Sequence, residues 1–159
     1  MRRVVGNALI KEAEKDPRII LLSGDYEGGI KEFKARFPER YFNMGTCEQS
    51  LVALASGMAI EGLKPVLYSI TPFLLERAFE QVKLCIDHQN VPVILIGYDD
   101  YTNLGCTHVA INSEVLIGVL KNTKGFFPKN TAETIQAISD AQKRNGPSFI
   151  CLKKDKSLG

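Results

Sequence analysis

Residues 40–69 read RYFNMGTCEQSLVALASGMAIEGLKPVLYS. Two short β-prone runs, 40–44 and 65–69, flank a helical pattern over 48–61, so the stretch is a strand, a helix and a second strand. The helix carries small residues at Ser50, Ala53, Ala55, Ser56, Gly57 and Ala59. A helix surface this lean lets another backbone approach closely, either the chain's own sheet or a second subunit. Glu48 stands in the first turn, where the helix dipole favours a carboxylate. From position alone it reads more readily as a helix-start charge than as a functional acid.

The same alternation extends in both directions. Further strands are expected at 18–23, 92–97, 125–127 and 148–152, and further helices at 4–15, 29–36, 73–87, 113–121 and 132–144. Asn130 and Thr131, followed by Thr134, supply a capping signal for the last helix. Short aliphatic strands alternating with helices predict an α/β fold, doubly wound, with a mostly parallel six-stranded sheet and helices on both faces. The whole chain, 1–159, is read as a single domain. One long connection, 98–112, lacks a regular pattern. It follows the carboxyl end of a strand, the side on which open α/β sheets place their ligands.

Bulk composition excludes several classes. Twenty basic and 18 acidic side chains give a net charge of +2, too small and too evenly spread to favour nucleic acid or an anionic membrane as partner. Cys47, Cys85, Cys106 and Cys151 form no C-x-x-C pair, so neither a zinc site nor a dithiol motif is expected, and no metal ligands are assigned. The N-terminal apolar run is short and broken by Lys11 and Glu12, unlike a signal peptide or a spanning helix. A soluble cytoplasmic protein with reduced thiols is expected.

The residues that could carry chemistry are few. Tyr68 and Phe73 lie near a strand's carboxyl end, as core or as a stacking platform. Within 73–87, Phe73, Arg77 and Gln81 fall on one stripe and Leu74, Ala78 and Val82 on its neighbour, and periodicity alone assigns both to the core. His88 sits at a helix end, where it would meet terminal carbonyls. His108 lies in the irregular connection, as a solvated side chain or as the group that handles a proton near neutral pH. The glycine cluster Ser23–Gly29 has neither the G-x-G-x-x-G nor the G-x-x-x-x-G-K-[ST] spacing, and its two acidic residues would repel a phosphate. It reads as a turn.

Taken in order, FPER (37–40), NMGTCEQ (43–49), ASGMAIEGLKPV (55–66), RAFEQ (77–81), QNVPV (89–93), GCTH (105–108), PKNTAE (128–133) and GPS (146–148) resemble the pyrimidine-binding domain of transketolase-type thiamine diphosphate enzymes, a family that includes deoxyxylulose-phosphate synthase and 2-oxo acid dehydrogenase β subunits. The resemblance runs over nearly the whole chain. It implies that Glu48 hydrogen-bonds the ring nitrogen N1′ of the aminopyrimidine, favouring the tautomer that activates the cofactor. It implies that Phe73, with Tyr68 as the alternative, stacks on that ring. His108 matches the histidine of the family's Gly-Pro-Thr-His segment, with Cys106 in place of the proline, and would act in catalysis and touch substrate. Asp100 is the acidic substrate-binding candidate, with Asp99 beside it.

The family's diphosphate-binding and C-terminal domains have no counterpart in these residues, so the resemblance implies a separate partner subunit carrying the diphosphate site and its Mg²⁺, in a dimer or α2β2 hetero-oligomer. The expected role is that of a small subunit of a split transketolase-like enzyme, binding and activating the aminopyrimidine ring for ketol (two-carbon) transfer, with a small sugar or 2-oxo acid as substrate. The alternatives are a subunit of a thiamine diphosphate-dependent 2-oxo acid decarboxylase and a non-catalytic scaffold or regulatory paralogue.

Overall fold

The computed structural model describes residues 1–99 and 103–154. Six strands, β1 (Ile19–Ser23), β2 (Tyr41–Asn43), β3 (Lys64–Ile70), β4 (Ile94–Tyr98), β5 (Lys124–Phe126) and β6 (Ser148–Leu152), form one sheet in the order β2-β1-β3-β4-β6-β5. Every adjacent pair is parallel, so the expected mostly parallel sheet is parallel throughout. The four central strands are buried on both faces, which is why each reads as an unbroken aliphatic run.

Strand alternation sorts these residues into two cores. Leu21, Val66, Tyr68, Ile96 and Ile150 face α1 (Val5–Ala13), α2 (Lys31–Arg36) and α6 (Thr131–Lys143), meeting Leu9, Phe33 and Ile138. Leu22, Leu67, Leu95 and Phe149 face the opposite way, toward α3 (Glu48–Ile60), the 72–87 segment and α5 (Ser113–Gly118), meeting Leu51, Val52, Leu75, Val82 and Ile117. Helices therefore cover both faces, as doubly wound architecture requires. No helix among the described residues is long and apolar enough to cross a membrane.

The helix expected over 73–87 is interrupted. Pro72–Glu76 and Val82–Asp87 are π turns on either side of α4 (Phe79–Gln81). Their i→i+5 bonds, Arg77 N–H to Pro72 O and His88 N–H to Lys83 O, are both 2.9 Å. Each π turn accommodates one extra residue and rotates the side chains beyond it about the helix axis. The helix expected at 29–36 starts two residues late because Gly29 has φ +93° and its carbonyl accepts the Gly6 N–H at 2.8 Å. The one expected at 113–121 stops at Gly118, because the Lys121, Asn122 and Thr123 N–H groups turn to the carboxylate of Asp87 at 3.0, 2.8 and 2.7 Å. The cap of α6 is as expected: the Asn130 side chain accepts the Glu133 N–H at 2.9 Å, and the Glu133 carboxylate accepts in return from the Lys129 N–H and the Asn130 amide.

Two adjacent strands fix where a ligand can enter. From β1 the chain leaves through α2 on one face; from neighbouring β3 it leaves through the π turn on the other. The divergence opens a crevice at their carboxyl ends, the topological switch point of an open α/β sheet.

Candidate functional site

The crevice holds a cavity of about 450 Å³, lined by Gly24, Thr46, Ser69, Phe73, Arg77 and His108 among others. Its floor is the end of β1 against the end of β3. The Gly24 N–H donates to Tyr68 O at 3.1 Å, and the Ser69 hydroxyl donates to Gly24 O at 3.1 Å. A side-chain carbon on Gly24 would fall 3.4 Å from Ser69 Oγ and 3.6 Å from Glu48 Cγ, so the three residues form one packed unit.

Glu48 arrives there because β2 ends in a turn that launches α3. Asn43 Oδ1 accepts the Gly45 N–H at 3.0 Å, Gly45 takes φ +71°, and the Cys47 thiol donates to Met44 O at 2.9 Å. Glu48 is then the first helical residue and is 2% exposed. Its Oε2 accepts a bond from Arg77 Nη1 at 3.2 Å; its Oε1 is buried and has no hydrogen-bond partner among the described residues. A buried carboxylate oxygen left unpaired is costly, and the state is shared here by Asp99 Oδ1 and by side-chain atoms of Thr71, Gln81, Gln142, Arg144 and Ser148; Glu48 differs in lying against the Gly24–Ser69 floor of the crevice.

Phe73 projects from the first π turn and is half-buried. The Arg77 guanidinium carbon lies over its ring, 3.9 Å from the centroid, and the His108 ring approaches edge-on at 5.0 Å and 65°. His108 is carried by the turn Cys106–His108, which Gly105 opens at φ +90°; its Nδ1 lies 3.0 Å from the Thr107 hydroxyl. The loop beyond it is tied to the π turn by the Ile111 N–H, which donates to Glu76 Oε1 at 2.7 Å. The arrangement offers a flat aromatic surface, a buried acceptor at its rim and an imidazole beside it. It suits a planar heterocycle that presents an N–H to Glu48.

The structure thus brings Phe73 and His108 together at the cavity, with Glu48 buried behind its Gly24–Ser69 floor and linked to Phe73 through Arg77. It separates Tyr68, the alternative stacking ring. Tyr68 is 0% exposed on the opposite face of the sheet, stacks on Tyr26 at 5.4 Å and 19°, and donates its hydroxyl to Gly28 O. Strand alternation explains this, since Leu67 and Ser69 point to the cavity side and Tyr68 to the other core. Asp100 lies outside the described residues. Asp99 lies off the crevice, in a second cavity of about 350 Å³ with Ser113, Glu114, Phe127, Cys151 and Lys153. There it accepts the Cys151 thiol at 3.0 Å, and burial, with Asp99 adding to it, pushes that thiol up to about 12.

Arg77 is the site residue that sequence reasoning missed. The stripe Phe73, Arg77, Gln81 carries two polar members, which a core stripe does not, and that was the available signal.

A family model, transketolase pyrimidine binding domain, matches residues 1–157. The chain belongs to the transketolase pyrimidine-binding domain family. Among relatives of this domain, the 1-deoxy-D-xylulose-5-phosphate synthase of Leptothrix cholodnii is 34% identical over 99% of this chain, and that of Clostridium botulinum 32% over 98%. The chain spans 25% and 26% of the length of these two relatives. A solved split-gene transketolase, described as an inactive β4 tetramer, superposes with a TM-score of 0.86 at 31% identity, over 96% of this chain and 50% of that one. A transketolase from Leishmania mexicana shares the fold, with a TM-score of 0.83 at 20% identity over 96% of this chain and 25% of its own length.

Proposed function

We propose that the crevice binds the aminopyrimidine ring of thiamine diphosphate, and that the chain is the pyrimidine-binding component of a split transketolase-like enzyme for ketol transfer. The observation that carries this reading is the buried, unpartnered Glu48 Oε1 of a carboxylate that packs against the crevice floor and is linked through Arg77 to the Phe73 ring: one acceptor and one stacking surface, the two things a flat N–H-bearing ring requires. When bound, the cofactor would supply the carbanion chemistry by which two-carbon units are moved between carbonyl compounds.

The chain's own residues have distinct tasks. Glu48 accepts the ring N–H and, held by α3 and β3, fixes the ring's orientation. Phe73 supports one ring face. The Gly24–Ser69 floor excludes water from the buried side. His108, on the open side against the Phe73 edge, is placed to exchange a proton with a substrate oxygen. A Mg²⁺-bound diphosphate comes from elsewhere, and the proposed source is a partner subunit, in a dimer or α2β2 assembly, while Asp100 is this chain's acidic substrate-binding candidate. The resemblance to a split-gene transketolase whose β4 form is inactive supports that division of labour.

The test is calorimetric titration of thiamine diphosphate and Mg²⁺ into this chain alone and into its mixture with a diphosphate-domain subunit. Tight binding in the mixture, abolished turnover in Glu48→Gln and a substrate-step defect in His108→Ala are the expected results. Near-normal turnover of Glu48→Gln would overturn the assignment.

A further inference from the structure

Within the crevice, the Arg77 guanidinium covers the Phe73 face that the aminopyrimidine would occupy and bonds the Glu48 carboxylate through the oxygen next to the one assigned to the ring. It is a flat, N–H-bearing group, it lies over the Phe73 ring at 3.9 Å, and it donates to Glu48 Oε2 at 3.2 Å. We propose that Arg77 is a built-in stand-in for the ring, occupying the slot until the cofactor displaces it and thereby setting the affinity and the order of assembly. This inference rests on the aminopyrimidine reading of the crevice.

Three features support a movable occupant rather than a fixed strut. The Arg77 side chain is 42% exposed, whereas the carboxylate it touches is 1% exposed, so the arginine can withdraw into solvent and Glu48 cannot. Its bond engages one carboxylate oxygen and leaves the other bare, unlike the bidentate fork by which arginine makes a permanent carboxylate pair. Finally, Arg77 leaves the π turn at its last hydrogen bond, to Pro72 O, where the extra residue of the turn swings the side chain back over Phe73.

The physical consequence is a competition. Ring entry must break a face-on cation contact and a part-exposed ion pair, each modest, and only the fraction of molecules with Arg77 withdrawn can bind. Until the ring enters, the device keeps the apolar face of Phe73 covered and the buried carboxylate half-neutralised. A ring without an N–H for Glu48 cannot replace what Arg77 supplies.

The experiment uses the full chain, with thiamine as the probe because it carries the aminopyrimidine without the diphosphate. In wild type the Arg77 Nε–H resonance is expected upfield, under the Phe73 ring current, and to lose that shift in Phe73→Leu. On thiamine titration it should move to the position of a solvated arginine in step with Ser69 and Gly24 amide shifts. Arg77→Met, whose fold is verified by circular dichroism, should bind thiamine roughly 5- to 30-fold more tightly, the factor that corresponds to losing the two contacts. An Arg77 resonance that stays in place while Ser69 and Gly24 saturate, or equal or weaker binding by Arg77→Met, overturns the stand-in and leaves the aminopyrimidine reading intact. The titration is repeated with the diphosphate-domain subunit present, and no perturbation of Ser69 or Gly24 in that mixture overturns both.

Discussion

Replacing Glu48 with leucine should make the isolated chain more stable while removing its function. The carboxylate is enclosed, and its Oε1 has no partner among the described residues, a state that costs about 2 kcal/mol for one buried unsatisfied acceptor. Against this stand the part-exposed Arg77 bond, about 0.5 kcal/mol, and the favourable position at the start of α3, about 0.5 kcal/mol. Leucine has a similar volume, forfeits both gains and removes the cost. The Ser69 hydroxyl is unaffected because its partner is Gly24 O. The net is about 1 kcal/mol in favour of the variant, or about 2–4 °C in Tm for a domain of this size. Thermal and urea unfolding followed by circular dichroism read this directly, and thiamine binding should be lost in the same sample. A lower Tm for Glu48→Leu would refute the reasoning, since it would mean that the carboxylate is fully satisfied and belongs to the fold rather than to a ligand.

At Asp87 the polar burial is structural, and substitution should behave oppositely. Asp87 is 5% exposed and accepts three backbone N–H groups and the Thr123 hydroxyl, so Asp87→Ala should cost about 3–4 kcal/mol in urea unfolding. Burial alone would raise the Asp87 carboxyl, but the Thr123 hydroxyl and the Asn122, Lys121 and Thr123 N–H groups outweigh it and hold it below the usual range. A depressed folded-state value contributes stability above the unfolded value, about pH 4, and loses it as pH falls through the folded one. The stability gap between wild type and Asp87→Asn should therefore narrow below about pH 4, and a gap that is constant with pH would exclude this linkage. Cys151, with its thiol pushed up to about 12, should resist alkylation at pH 8 until the protein is unfolded, while exposed Cys106 reacts at once. Mass spectrometry of labelled peptides distinguishes the two.

The sheet was legible because its strands are buried on both faces and so appear as short aliphatic runs between turn signals. Ser148–Leu152 has the bounds expected, and the other strands shift by only one or two residues at an end. Glu48 and His108 were legible as candidates through the motifs around them, and their meeting at one crevice required the fold. What sequence could not supply was phase. A 3.6-residue period carried through 73–87 puts Phe73 and Arg77 in the core, but the π turn at Pro72–Glu76 shifts the phase there, and Arg77 is a neighbour of Glu48 across 29 residues. Tyr68 lies away from the crevice for the converse reason: strand alternation, readable once Ser69 is placed on the cavity side, sends its neighbour to the other core.

The two outermost strands, Tyr41–Asn43 and Lys124–Phe126, are each only three residues long. Short edges leave few main-chain donors and acceptors on offer, so the sheet is a poor template for recruiting another strand from a neighbouring chain. All-parallel pairing across a shuffled strand order also makes the native contacts distant in sequence, which slows folding and lengthens the interval in which aliphatic strands are uncovered. Truncated borders therefore act as protection against runaway β-polymerisation during that interval, and they leave assembly to the helices and to the crevice at the carboxyl ends of β1 and β3.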